Sequence, residues 1–208
     1  MTTYAPRSEN FEAFLARLNA TIAAGMGEPE APDEPRLTGQ IVGLPRSGTT
    51  VLYQLLARTR VLGYPSNVMA MFWQAPVVGA RLQHRLANGA VTLSTTSIAG
   101  RTPEPLDPHE FGYFWRGALG HSSNSVHQDA SPMAWHRLQA TLDAVTGVFD
   151  ATIVYKNFLV LCHVDTMRQE LSRQRYLAVR RPLLDVATSL LSVRRAIGVP
   201  DDTDFGLA

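Results

Sequence analysis

The sequence predicts an α/β fold with a central parallel β-sheet flanked by helices. Three short β-favouring runs, each followed by a helical pattern of apolar residues, carry that expectation. They are Leu37–Val42 before Val51, Leu52, Leu55 and Leu56; Ala151–Tyr155 before 159–171; and Arg175–Val179 before 183–195. Strands that alternate with helices pair in parallel, because each helix carries the chain back to the starting edge of the sheet. The 208 residues, 45% of them hydrophobic, are enough for one sizeable core and exclude general disorder.

In chain order, residues 10–24 place Phe11, Phe14, Leu15, Leu18 and Ile22 at helical spacing, and the acidic, proline-rich stretch 28–35 follows as an extended linker. Residues 1–36 therefore read as a helix and linker set apart from an α/β domain at 37–208. That domain opens with the strand 37–42, which ends at Gly43 and passes through Pro45–Gly48 into a helix. Residues 101–107 read as a loop and 130–148 as a helix carrying Met133, Trp135, Leu138, Leu142 and Val145. There is no internal repeat.

Charge and composition narrow the function classes. The formal net charge is +1, so no basic footprint covers the domain, and neither nucleic-acid binding nor adsorption to a membrane surface is expected. The segment 1–10 lacks the form of a secretory signal and no run of 18 apolar residues exists, so a cytoplasmic location is expected. Cys162 is the single cysteine; it cannot form an internal disulfide, and its apolar neighbours suggest a buried, inert thiol. His121, His127, His136 and His163 have no spacing that suggests a metal site or a triad, and no metal is expected.

The most informative segment is Gly43-Leu44-Pro45-Arg46-Ser47-Gly48-Thr49-Thr50. Its GxxxxG spacing, followed by hydroxyl residues, lies between a strand and a helix N-terminus, where backbone N–H groups converge on an anion. A nucleotide triphosphatase has lysine after the second glycine; here that place holds Thr49 and the positive charge sits in the loop as Arg46, which disfavours a small-molecule kinase. Pro45-Arg46-Ser47-Gly48-Thr49-Thr50 resembles the 5′-phosphosulfate loop of the sulfotransferase family, whose donor is 3′-phosphoadenosine 5′-phosphosulfate. A second segment, 176–189, resembles that family's 3′-phosphate segment, with Arg181 after the strand and Ser189 on the following helix; a shifted register would use Arg180 and Thr188 instead. Lys156, the only lysine, ends the 151–155 strand at the edge where ligands of parallel sheets gather. The resemblance implies a P-loop-type three-layer fold and a lysine at this place touching the transferring group. The seven arginines between 168 and 195 stand against only Glu170 and Asp185, a local positive excess in which Arg168, Arg173 and Arg175 read as an ordinary solvated helix face.

The resemblance implies transfer of a sulfonyl group to a hydroxyl, or as the lesser alternative an amine, of a small molecule or sugar. Pro45, Arg46, Ser47, Gly48, Thr49, Thr50, Arg181 and Ser189 would hold the donor, and Arg46 and Lys156 would steady the charge that develops during transfer. The general base departs from the family: one branch has histidine where Phe158 stands, and another has glutamate where Asn67 stands. The best substitutes are His109 and Glu110, which adjoin the aromatic cluster Phe111, Phe114 and Trp115. Asn67, Phe72, Trp73, Phe111 and Trp115 are the expected walls of an acceptor pocket. The family continues past the 3′-phosphate segment, so the domain reads as short at its C-terminus. A catalytically inactive nucleotide-binding module of the same fold is the alternative, and a homo-oligomer is left open.

Overall fold

A computed structural model describes residues 9–87, 93, 94, 96, 97, 102–122 and 131–197. The elements run α1 (Glu9–Gly25), β1 (Thr38–Val42), α2 (Thr49–Arg58), α3 (Asn67–Ala70), α4 (Pro76–Leu86), α5 (Gly112–Ala118), α6 (Trp135–Phe149), β2 (Ile153–Lys156), α7 (Phe158–Leu161), α8 (Val164–Glu170), β3 (Gln174–Ala178) and α9 (Leu183–Ile197). Among the described residues, no helix is long and apolar enough to cross a membrane.

The fold is α/β, built on a small open sheet of three parallel strands in the order β2-β1-β3. Thr38 of β1 pairs with Ile153 on one side and with Gln174 on the other. The alternation of a strand sends successive side chains to opposite faces. Ile153 and Tyr155 join a core with Phe111, Trp115, Leu138, Leu142, Leu159 and Met167, while Val154 joins Ile41 and Tyr53 on the α2 side. Inside the sheet, the buried Gln40 Nε2 donates to Gln174 Oε1 at 3.0 Å, a single polar tie between β1 and β3 that leaves Gln40 Oε1 and Gln174 Nε2 without a partner among the described residues.

Several elements depart from the sequence expectation. The helix expected over 159–171 is broken into α7 and α8, and Cys162 sits at the corner, exposed to solvent instead of buried. The helix expected from 130 starts only at Trp135, since Pro132 cannot continue a helical ladder and the Met133 N–H donates to Ala118 O at 3.0 Å. Arg101, His127, Ala130 and the ending 198–208 lie outside the described residues. Three helices, α3 to α5, arise where no helix was expected. Ser66 caps α3 by accepting from the Met69 N–H, and Pro76 occupies the first turn of α4. Gln83 of α4 then clamps the chain ahead of α3, accepting from Ser66 N–H at 2.9 Å and donating to Tyr64 O at 2.8 Å.

α1 is joined to the body, although the linker suggested a separate element. Its Asn19 is fully buried, donates to Met71 O at 2.8 Å and accepts from the Gln74 N–H at 2.9 Å. A second tie lies between α6 and the start of β3. The Asp143 carboxylate is buried and pairs with Arg173, whose Nε donates to Asp143 Oδ1 at 3.1 Å, and this bond raises the arginine above its ordinary range. Arg173→Met removes the counter-ion of the buried Asp143 but leaves the Gln139 Nε2 bond to its Oδ1 at 2.8 Å, so it is expected to lower unfolding stability by about 2–3 kcal/mol in urea titration, less than for a fully buried pair because Arg173 is partly solvated.

Candidate functional site

The site forms at the C-terminal edge of the sheet, above the central strand. From β1 the chain goes first to β2 on one side and later to β3 on the other, which opens a crevice beyond the end of β1. The loop 43–48 fills the mouth of that crevice. Two of its residues adopt left-handed backbone: Arg46 at φ 67° and Gly48 at φ 98°. Glycine takes this conformation without strain, whereas at Arg46 it costs about 1–2 kcal/mol that the surrounding loop must hold. Gly43 has no space for a side chain, since a Cβ there would lie 2.8 Å from Ser47 Oγ and 2.8 Å from Val179 O.

Two features make the loop receptive to an anion. The first-turn N–H groups of α2 have no acceptor within the helix, and their dipoles add to a positive field at its start. The Ser47 hydroxyl is buried with no hydrogen-bond partner among the described residues, a state that is costly until an acceptor arrives.

Arg46 links the loop to the far end of the chain. Its Nε donates to Ser189 Oγ on α9 at 3.0 Å, and Arg181 Nη1 donates to Arg46 O at 2.9 Å. Arg181 Nε also stands 4.0 Å from Asp185 Oδ2, one turn into α9. Of the two registers the sequence allowed, Arg181 and Ser189 are the residues that meet the loop; the Thr188 hydroxyl donates to Leu184 O of its own helix at 2.8 Å.

On the other side of the loop lies a cavity of about 20 Å³, lined by Gly43, Pro45, Thr49, Glu110, Lys156 and Phe158 among others. That is room for one water molecule. Lys156, at the end of β2, forms an ion pair with Glu110 there, and both side chains are largely shielded, at 11% and 25% exposure. The following residue holds the pair in place: Asn157 Nδ2 donates to Glu110 O at 3.2 Å, and Asn157 Oδ1 caps α7 by accepting from the Leu159 N–H at 2.9 Å. Tyr53 of α2 donates to His109 O at 3.2 Å from below. Burial, and after it the charges of Tyr155, Tyr64 and Glu110, hold its phenol well above the ordinary 10.0, so it remains a fixed donor.

The other expected site residues are placed elsewhere. His109 Nδ1 accepts from the Phe111 N–H at 2.8 Å, so the neutral ring carries its proton on Nε2, and His109 is not part of the cavity wall. Phe111 and Trp115 are 1% and 0% exposed and belong to the core, with Phe111 stacked on Phe114 at 4.8 Å. Asn67 is a staple: its Nδ2 donates to Thr102 O at 3.0 Å and to Glu104 O at 2.7 Å. Phe72 follows α3, and Trp73 packs on Tyr113 at 5.0 Å in a separate groove of about 800 Å³ between α1, α5 and α6. Sequence reasoning missed Asn157 and Tyr53. An asparagine directly ahead of an apolar helical run is a capping signal that could have revealed the first; nothing local marks the second. Among the described residues, no group of three or more metal-ligating side chains converges. No family model, no curated protein and no solved structure matches this chain.

Proposed function

We propose that the chain is a sulfotransferase with a P-loop-type three-layer fold, moving a sulfonyl group from 3′-phosphoadenosine 5′-phosphosulfate to a hydroxyl, or less readily an amine, of a small molecule or sugar. The observation that carries this reading is the junction of Arg181, Arg46 and Ser189. Two segments 135 residues apart, each with the residue types for a phosphate, meet at one residue, Arg181 at the Arg46 carbonyl and Ser189 at its guanidinium. The residues present fit a nucleotide carrying two phosphate groups. The α2 amides, Ser47 and Arg46 supply donors for the 5′ side, and Arg181 and Ser189 supply donors for the 3′ side.

The donor, when bound, brings an activated sulfonyl group whose bridging oxygen gathers negative charge as it leaves. Arg46 and the loop amides supply fixed positive potential beside that charge, and Lys156 supplies a second cation from the end of β2. Glu110 is the base in this reading. Lys156 holds Oε1, and Oε2 takes the proton of the acceptor hydroxyl. The acceptor class rests on this need for a proton-bearing nucleophile.

Incubation of the purified chain with sulfur-labelled donor and a panel of phenols, sterols and sugars is expected to label at least one acceptor class. Absence of both transfer and binding of adenosine 3′,5′-bisphosphate would overturn the proposal. Binding without transfer identifies the second reading, an inactive nucleotide-binding module, which the presence of Phe158 in the cavity wall favours. Gly43→Ala forces Ser47 or the Val179 carbonyl aside, so it is expected to weaken bisphosphate binding about tenfold, some 1.4 kcal/mol, with unchanged circular dichroism.

A further inference from the structure

The two segments that carry Glu110 and Lys156 are fastened to each other at both ends. At the near end stand the Lys156–Glu110 ion pair and the bond from Asn157 Nδ2 to Glu110 O. α5 follows Glu110, α7 follows Lys156, and the two helices pack together. At the far end, His121 Nε2 and His163 Nε2 are 2.8 Å apart, with ring planes at 83°. His121 is 4% exposed and is itself anchored, its backbone N–H donating to Arg116 O at 2.8 Å. His163 occupies the cap position of α8, at the corner after α7.

We propose that His121 and His163 form a proton-sensitive positioning pair, which fastens the end of α5 to the α7–α8 corner and thereby keeps Glu110 seated on Lys156. The claim that transfer activity follows the pair rests on the reading of Glu110 and Lys156 as the reacting groups; the fastening itself does not.

The chemistry of two facing imidazoles sets the response. With both rings neutral, one Nε2 donates and the other accepts. A single added proton leaves the N–H···N bond intact with an imidazolium as donor. A second proton sets two N–H groups against each other, and the bond is lost along with the favourable charge balance. Burial, and then the neighbouring His121, lower His163 from its ordinary 6.5. The folded chain thus holds fewer protons than the unfolded chain in this region, so the contribution to stability is complete above 6.5 and declines as pH falls through the lowered folded value.

Other charges around the pair come from several elements. Arg116 of α5, Arg137 of α6 and Glu12 of α1 line the same groove as His121. Beside His163 in the chain are the Cys162 thiol and Asp165, in the first turn of α8. The arginines oppose added positive charge and the two carboxylates favour it.

Hydrogen exchange of the full chain at neutral and mildly acidic pH, corrected for intrinsic rates, tests the fastening directly. Protection of the α5 amides is expected to fall severalfold on acidification in the natural chain, as loss of the bond between the rings lets the end of α5 open more often. In His163→Gln it is expected to change little, because the amide either donates or accepts and keeps its bond to His121 in both protonation states. The same acid response in both chains would overturn the proposal. Should His163→Gln fold poorly, His121→Gln asks the same question from the other ring. The second readout is kcat for sulfonyl transfer against pH: Glu110 gives every variant an acid limb as it protonates, the natural chain loses more activity on acidification than His163→Gln, and His163→Ala is slower than both where Glu110 is ionised. If no acceptor is ever labelled, the exchange result still decides the fastening, so failure of the enzymatic reading and failure of the pair are separable.

Discussion

Arg181→Ala is expected to raise the Kd for adenosine 3′,5′-bisphosphate about 10- to 100-fold in calorimetric titration, while 5′-AMP binding changes by less than about threefold. A planar guanidinium gives a phosphate two parallel charge-assisted bonds, together worth about 1.5–3 kcal/mol after desolvation, and that range sets the expected loss. Arg181 is well exposed and takes no part in the core, so the variant should unfold at the same urea concentration as the natural chain. Its contact with Arg46 O supplies a discriminating outcome. If the affinity for both nucleotides falls equally, Arg181 acts by holding the strained Arg46 backbone and not by reading a 3′-phosphate. Arg46→Ala, in contrast, removes the cation of the loop itself and is expected to weaken both nucleotides. Unchanged affinity in both variants would sink the donor-site reading.

How much of this site the sequence disclosed depends on whether a residue acts through local or distant neighbours. The loop 43–50 was legible because its chemistry is local: glycines fix its path, and the strand and helix on either side follow from short-range patterning. The three strands were placed within two residues at each end for the same reason, since β-branched and aromatic runs bounded by turn residues have few alternatives. The break at Cys162 and His163 was not legible, because the segment 159–171 reads as one helical pattern, whereas Leu159, Val160 and Met167 from the two separate helices are buried in one core with Trp115 and Tyr155, a tertiary arrangement that no local pattern announces. Phe111 and Trp115 looked like pocket walls beside His109. An aromatic residue satisfies a core and a pocket equally well in sequence, and their near-zero exposure assigns them to the core. The His121–His163 contact joins residues 42 apart through tertiary packing, with no spacing rule to announce it.

The identity of the base is decided by comparing Glu110 with His109, neighbours in sequence that face different surroundings. Glu110→Gln is expected to lower kcat by about 10²- to 10⁴-fold, the usual worth of a positioned base, with Kd for the bisphosphate unchanged. His109→Asn keeps an acceptor for the Phe111 N–H and is expected to cost kcat far less, within about tenfold. The reverse order of effects would transfer the role to His109. Glu110→Gln also removes the partner of Lys156, which is only 11% exposed, so a loss of activity alone cannot separate base catalysis from a misplaced cation. The double variant Glu110→Gln with Lys156→Ala resolves this. If Glu110 serves only to seat Lys156, the double variant should be no slower than Lys156→Ala alone, since the residue to be seated is gone. If Glu110 takes the proton, its removal should slow Lys156→Ala further, by a factor approaching that of the single change. The second result is the one expected, because Lys156 engages a single carboxylate oxygen, Oε1, and Oε2 retains the capacity to accept a proton.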